Sequence, residues 1–136
     1  MNDKLKIKEI LTDNKVIAIV GFSDNNIRPS NRIGRYLYGN MFKVYGVNPK
    51  LHNRVIDEIS CFGSLKDIPE HIDIVNVFRR SEFLPGIVEE VISLDPLPGA
   101  IWAQVGVVST EAKELAENKG ITYVENKCIM VEHSYI

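Results

Sequence analysis

Four short stretches of the chain hold residue types able to grip a phosphorylated small molecule: Gly21-Phe22-Ser23-Asp24, Asn48-Pro49-Lys50, Arg79-Arg80-Ser81 and Gln104-Val105-Gly106. Gly21 lets the backbone approach a ligand closely, and Ser23 can donate its hydroxyl to a phosphate oxygen. A helix starting near Ser30 would add open N–H groups and the positive end of a dipole. Dinucleotide enzymes carry G-x-G-x-x-G at such a turn, and only its first glycine is present here. From Asn25 to Ile56 there is no Asp or Glu, while Arg28, Arg32, Arg35, Lys43, Lys50 and Arg54 all fall in that stretch of a chain of net charge -2. Arg79 and Arg80 add a second basic point. Such a distribution attracts polyanions, and a guanidinium can hold phosphate through two parallel hydrogen bonds. The plainer alternative is a solvated basic face that balances acidic helices elsewhere. Nucleic acid is not the expected partner, because the chain has no basic helical stripe and no interleaved aromatic platform.

The second stretch bears on which nucleotide would bind. Rossmann domains for NAD place an Asp or Glu after the second strand, where it accepts hydrogen bonds from the ribose. Asn48-Pro49-Lys50 offers no acid, and none follows until Asp57. Lys50 favours a phosphate on that ribose, which leaves NADP and coenzyme A as candidates. The missing glycines count against a nicotinamide dinucleotide threaded through the first turn. Catalytic groups are sparse. Cys61 and Cys128 make neither a disulfide framework nor a zinc-ligand spacing. Cys61 reads as core, and Cys128 as a buried thiol whose alternative is a mixed disulfide with a thiol ligand. Glu132 and His133, adjacent on a tail read as extended, would point to opposite faces, so His133 reads as terminal packing. There is no Ser-His-Asp set, no plausible carboxylate pair and no metal cluster.

The elements that must position these residues alternate along the 136-residue chain. Asp3 to Asp13 reads as a helix with Leu5, Ile10 and Leu11 on one face and Asn14 as its stop. Val16-Ile17-Ala18-Ile19-Val20 is an unbroken apolar run, as in a strand covered on both faces. A helix capped by Ser30 or Asn31 follows, then a strand at Lys43 to Val47 stopped by Pro49. Residues 50–71 are less regular, with a short strand at Ile59-Ser60-Cys61 and a capped turn at Ser64 to Asp67. Further strands are expected at Ile72 to Phe78, Ala100 to Ala103 and Ile121 to Val124. Helices are expected at Ser81 to Ser93, with Pro85 in its first turn, and at Ser109 to Lys119, ended by Gly120. About five strand–helix alternations imply a doubly wound, Rossmann-like α/β sheet with helices on both faces. Its ligand would lie beyond the carboxyl ends of the strands, which is where the four stretches fall. Length and composition fit one domain, with Trp102 in its core. No apolar run approaches the ~20 residues of a membrane span, and the N-terminus lacks the apolar core of a signal peptide. A cytosolic protein is therefore expected.

Longer strings resemble a known family. They are Ile17-Ala18-Ile19-Val20-Gly21-Phe22-Ser23, Arg28-Pro29-Ser30-Asn31-Arg32-Ile33-Gly34-Arg35-Tyr36-Leu37, Val44-Tyr45-Gly46-Val47-Asn48-Pro49, Asp73-Ile74-Val75-Asn76-Val77-Phe78-Arg79-Arg80, Trp102-Ala103-Gln104-Val105-Gly106-Val107 and Cys128-Ile129-Met130-Val131-Glu132-His133. They resemble the bacterial CoA-binding domain family, the YccU-like stand-alone proteins. The expected fold is similar to the CoA-binding domain of the succinyl-CoA synthetase α-subunit. The resemblance implies a phosphate loop at Gly21, Phe22 and Ser23, with Ser30 and Arg32 facing the same phosphates. It implies adenosine ribose and its phosphate near Asn48, Pro49 and Lys50, and an adenine wall with a basic edge at Val77, Phe78, Arg79 and Arg80. It implies a pantetheine path near Gln104 and Gly106. Asp95-Pro96-Leu97-Pro98-Gly99 departs from the family with a rigid turn. His52, His71 and His133 lack the glycine-rich setting of a ligase phosphohistidine. The expected function is recognition of CoA or acyl-CoA without catalysis; the alternatives are an enzyme acting on a CoA thioester or an NADP-like nucleotide, and a regulatory module with a degenerate site.

Overall fold

In the computed structural model, which describes residues 3–13 and 15–136, Val16–Val20 (β1) runs through the middle of a seven-stranded sheet. Ile17 and Ile19 enter one core layer, and Ala18 and Val20 enter the other. A strand buried on both faces needs an unbroken apolar run, and that is what β1 supplies. Asp3–Leu11 (α1) precedes it. Pro29–Gly39 (α2), Lys43–Val47 (β2), Val55–Ile56 (β3), Ile59–Phe62 (β4), Ile74–Val77 (β5), Leu84–Ile92 (α3), Ala100–Ala103 (β6), Thr110–Asn118 (α4), Thr122–Val124 (β7) and Ile129–Ser134 (α5) follow. The strand order is β3-β4-β2-β1-β5-β6-β7. Every neighbouring pair is parallel except the β3–β4 hairpin. The chain thus works outward from β1 to β4, then crosses to the far side of β1 at β5. This reversal opens a crevice at the carboxyl ends of β1 and β5.

Helices cover both faces, as expected. Leu84, Val88 and Val91 of α3 and Ala112 and Ala116 of α4 pack on Ala18, Val20, Val75 and Ile101. Ile7, Ile10 and Leu11 of α1, Ile33 and Leu37 of α2 and Ile129 of α5 pack on Ile17, Ile19 and Trp102. Trp102 is fully buried, and its indole N–H donates to the Lys127 carbonyl at 2.8 Å. Among the described residues, no helix is long and apolar enough to cross a membrane.

The structure corrects several local expectations. The sheet has seven strands rather than about five. The added hairpin turns at Asp57 and Glu58, both at positive φ (51° and 69°). Two-residue hairpin turns of that kind usually announce themselves by Asn-Gly or Asp-Gly, so Asp-Glu carried no signal. Its stability comes from elsewhere: Asp57 accepts a hydrogen bond from the Asn31 side chain of α2 at 3.3 Å. The buried face of α1 is Ile7, Ile10 and Leu11, while Leu5 is 54% exposed. The stop assigned to Asn14 lies outside the described residues. Arg28, not Ser30, is the N-cap of α2, because Pro29 takes the first helical position that its fixed φ suits. The helix over Ser81 to Ser93 begins as a 3₁₀ turn, Ser81–Phe83, before α3 proper. The tail read as extended is the helix α5, with Ile129 fully buried.

One aromatic ring sets the spacing between layers. Phe22 lies between α2 and β2, and a Cβ placed at Gly46 would stand 2.5 Å from its ring and 2.9 Å from the Cys61 sulfur. Gly46→Ala should therefore destabilise the fold by about 1–3 kcal/mol, the usual scale of overpacking. Gly86, in α3, has open space around it, so Gly86→Ala should be neutral or stabilising by up to about 1 kcal/mol. Urea unfolding of both variants reads this contrast, and equal midpoints would contradict it.

Candidate functional site

The site is built where three strand ends meet. At the end of β1, Gly21 turns the chain at φ 89°, and a Cβ there would lie 3.0 Å from the Phe78 carbonyl oxygen and 3.1 Å from Arg79 Cδ. Only glycine combines that backbone with that closeness. The N–H groups of Gly21 and Phe22 both donate to the Val47 carbonyl of β2, at 3.0 and 3.3 Å. On the other side, the Phe78 N–H donates to the Val20 carbonyl at 2.9 Å. Asn48 then clamps the two loops. Its side-chain amide donates to the Phe22 carbonyl at 2.9 Å, and its oxygen accepts from the Lys50 N–H at 2.9 Å. This second bond caps the 3₁₀ turn Pro49–Leu51 that carries Lys50.

These contacts frame a cleft of about 380 Å³ lined by Gly21, Asn48, Pro49, Lys50, Arg79 and Glu90, among others. The structure thus brings five of the expected residues around one void. Gly63, Ser64 and Glu90 also line it and were not anticipated. Gly63 is held by its N–H donating to His52 Nδ1 at 2.8 Å. Ser64 heads a 3₁₀ turn and donates to Asp67 at 2.8 Å, so the Ser-Leu-Lys-Asp spacing was the available signal. Glu90 reaches the cleft from α3, which no local motif could show.

Other expected site residues are placed differently. The Phe22 and Val77 side chains are fully buried in the core, so Val77 offers no exposed wall and Phe22 contributes backbone alone. Phe78 is half-buried and packs on the layer beneath α2. Ser30 is 5% exposed and does not face outward; its oxygen accepts from the Ser23 N–H at 3.1 Å. Ser30 therefore shapes the loop and leaves the first turn of α2 without a side-chain cap. Ser23 Oγ in turn accepts from the Asn25 N–H at 3.0 Å, and its own hydroxyl proton stays available. Gln104 is also buried, and its Oε1 accepts from Asn76 at 3.1 Å and from the Ile129 N–H at 3.0 Å. It joins β5, β6 and α5 and does not line an open path. Gly106, at φ 84°, turns the loop after β6 and is tied to Asn126 and Ser81.

The cations divide into two groups. Lys43 pairs with Glu70 at 3.1 Å, Arg54 with Asp24 at 3.9 Å and Arg80 with Glu82 at 3.2 Å. Arg35 is spent on Asn31 and the Asn26 carbonyl, both at 2.8 Å, and holds the loop before α2. Arg28, Arg32, Lys50 and Arg79 have no carboxylate partner among the described residues. Lys50 and Arg79 line the cleft; Arg28 and Arg32 stand exposed at the start of α2. The Arg79 guanidinium lies 4.5 Å from the Phe83 ring centre, which holds it in place. Neither His133 nor His71 lines the cleft. His133 Nδ1 meets the Tyr36 hydroxyl at 2.8 Å, and His71 Nε2 meets the Leu97 carbonyl at 3.0 Å. No cluster of metal-ligating side chains occurs among the described residues.

Cys61 is buried and Cys128 half-buried. Desolvation pushes the Cys61 thiol up, which keeps it protonated and unreactive, since the thiolate is the nucleophile. In the native state iodoacetamide should label Cys128 first, and Cys61 should react only on unfolding. Mass mapping checks this, and native labelling of Cys61 as fast as Cys128 would refute it.

Comparisons with known proteins bear on this arrangement. The family model described as "CoA binding domain" matches residues 15–134. An uncharacterised protein of Bacillus subtilis, YneT, is 42% identical over 134 residues, covering 96% of this chain and 94% of that protein. ADP-forming acetate–CoA ligase I of Archaeoglobus fulgidus is 30% identical over 124 residues; the match takes in 85% of this chain but 18% of the ligase. Among solved structures, cell-free ID.343 from Thermus thermophilus superposes with a TM-score of 0.91 at 32% identity, covering 99% of this chain and 98% of that one.

Proposed function

The chain belongs to the CoA-binding domain family, and from that premise we propose that its strand-end cleft binds coenzyme A or an acyl-CoA by recognition alone, without catalysis. The observation that carries this reading is the meeting of Gly21, Asn48, Lys50 and Arg79 around one cleft, with both cations free of carboxylate partners among the described residues. An unpaired cation has no ion pair to break when a phosphate arrives, whereas a paired one must first give up its partner. Lys50 takes the 3′-phosphate of the adenosine. The β2 loop offers no acid to a ribose diol, which sets CoA apart from NAD. The uncapped first turn of α2, with Arg28 and Arg32 beside it, takes the diphosphate. The pantetheine arm runs out along the loops after β5 and β6, past Arg80 and Gly106.

Among the described residues, the lining of the cleft includes the Lys50 ammonium, the Ser64 hydroxyl and the Glu90 carboxylate, and neither a histidine nor a cysteine. The ligase relative catalyses its reaction with a far longer chain, of which this one matches 18%.

A thermal-shift panel tests the reading, because a ligand that binds only the native state raises its stability. CoA should raise the midpoint more than dephospho-CoA, and NAD should leave it unchanged. Lys50→Ala should shrink the gap between CoA and dephospho-CoA by about 1–2 kcal/mol, the scale of one charge-assisted contact. Equal shifts from CoA and dephospho-CoA on the unmodified protein would overturn the assignment of Lys50.

A further inference from the structure

Glu90 is the one acid in the lining of the cleft. It belongs to α3, whereas Lys50 belongs to the turn after β2, so the two reach the cleft from different elements. Neither of its side-chain oxygens has a hydrogen-bond donor or an ion-pair partner among the described residues. The uncharged polar side chains of the lining are already engaged: Asn48 with the Phe22 carbonyl and the Lys50 N–H, Ser64 with Asp67. A carboxylate has acceptor capacity and no donor. In a cleft whose other charged groups are Lys50 and Arg79, it repels phosphate and attracts a hydrogen-bond donor.

Resting on the binding mode above, we propose that Glu90 accepts a hydrogen bond from the exocyclic 6-amino group of the ligand's adenine, and so selects the base. Charge orders the ligand across the cleft. The ribose phosphate must lie on the Lys50 side, away from Glu90. The base, which bears no charge, then falls toward α3. Of its edge groups only the 6-amino nitrogen donates, and Glu90 is the acceptor left without a donor. Arg79 lines the same cleft, with its guanidinium held against the Phe83 ring. One cleft thereby reads two features of the nucleotide with opposite charges: Lys50 reads the ribose phosphate and Glu90 reads the amine.

The test is titration calorimetry with adenosine 3′,5′-bisphosphate and with its 6-deamino purine counterpart, which lacks the donor and keeps both phosphates. The unmodified protein should bind the amino compound about tenfold more tightly, as one hydrogen bond to a charged group implies. Glu90→Ala should bring that ratio close to one, and Glu90→Gln, which keeps an acceptor oxygen, should retain part of it. Lys50→Ala should weaken both compounds alike and leave the ratio unchanged. Glu90 is exposed, so its variants should keep the unmodified protein's circular dichroism and unfolding midpoint. A ratio unchanged in Glu90→Ala, with both compounds still binding, would overturn the role of Glu90 alone. Absence of binding by both compounds to the unmodified protein would overturn the CoA reading and this inference with it.

Discussion

Everything at the candidate site depends on how closely the ends of β1, β2 and β5 approach one another. At Gly21 the backbone passes so near the Phe78 carbonyl that a single methyl group would strike it. The Val47 carbonyl accepts from two successive N–H groups of the first loop, and Asn48 spans the gap from the other direction. These are buried or half-buried hydrogen bonds, and leaving one partner unsatisfied costs more than the bond itself contributes. The loops are therefore held as a unit. Lys50 and Arg79 have defined positions because the backbones beneath them cannot shift independently.

The same economy of space explains why a truncated glycine fingerprint suffices. In dinucleotide folds the later glycines let a helix pack close against the strand. Here the close contact is made around Phe22. Its ring fills the volume that Gly34 of α2 and Gly46 of β2 leave open. The glycines have moved off the loop and onto the elements that flank it. The loop is then free to carry Ser23 and Asn25, which with Asn31 of α2 wire it through side-chain hydrogen bonds. A loop braced this way needs little reordering on binding, and preorganisation of that kind lowers the cost of association.

A polar seam joins the rest of the edge to this frame. Asn76 and Gln104, both buried, link β5 and β6 to the first residue of α5. Residues that a family resemblance assigns to the ligand can thus serve the scaffold first. Ser30 and Gln104 are of this kind. Their chemistry suits a ligand, but their hydrogen bonds are made inside the protein, and what they contribute to the site is the placement of neighbouring backbone.

The sequence by itself determined the layered α/β architecture, because the continuous apolar run at β1, the β-branched segment at β5 and 3.6-residue periodicity in α2 and α3 each permit few alternatives. It also pointed to the edge that carries the candidate cleft, since Gly21, Lys50 and Arg79 follow β1, β2 and β5. Other features were decided only by tertiary structure, for identifiable reasons. The hairpin at Asp57 and Glu58 is held by Asn31 and the neighbouring strand, against the local preference of Glu58 for negative φ. The helix α5 is too short to show a period and forms because Ile129 and His133 find partners on distant elements. Which cations stay free was likewise invisible, because Glu70, Asp24 and Glu82 reach their partners through space or across a turn. Glu90 shares the cleft with Lys50 because the chain crosses the sheet between them. Side-chain type is local information, whereas the pairing of charges is set by contacts between elements far apart in the chain.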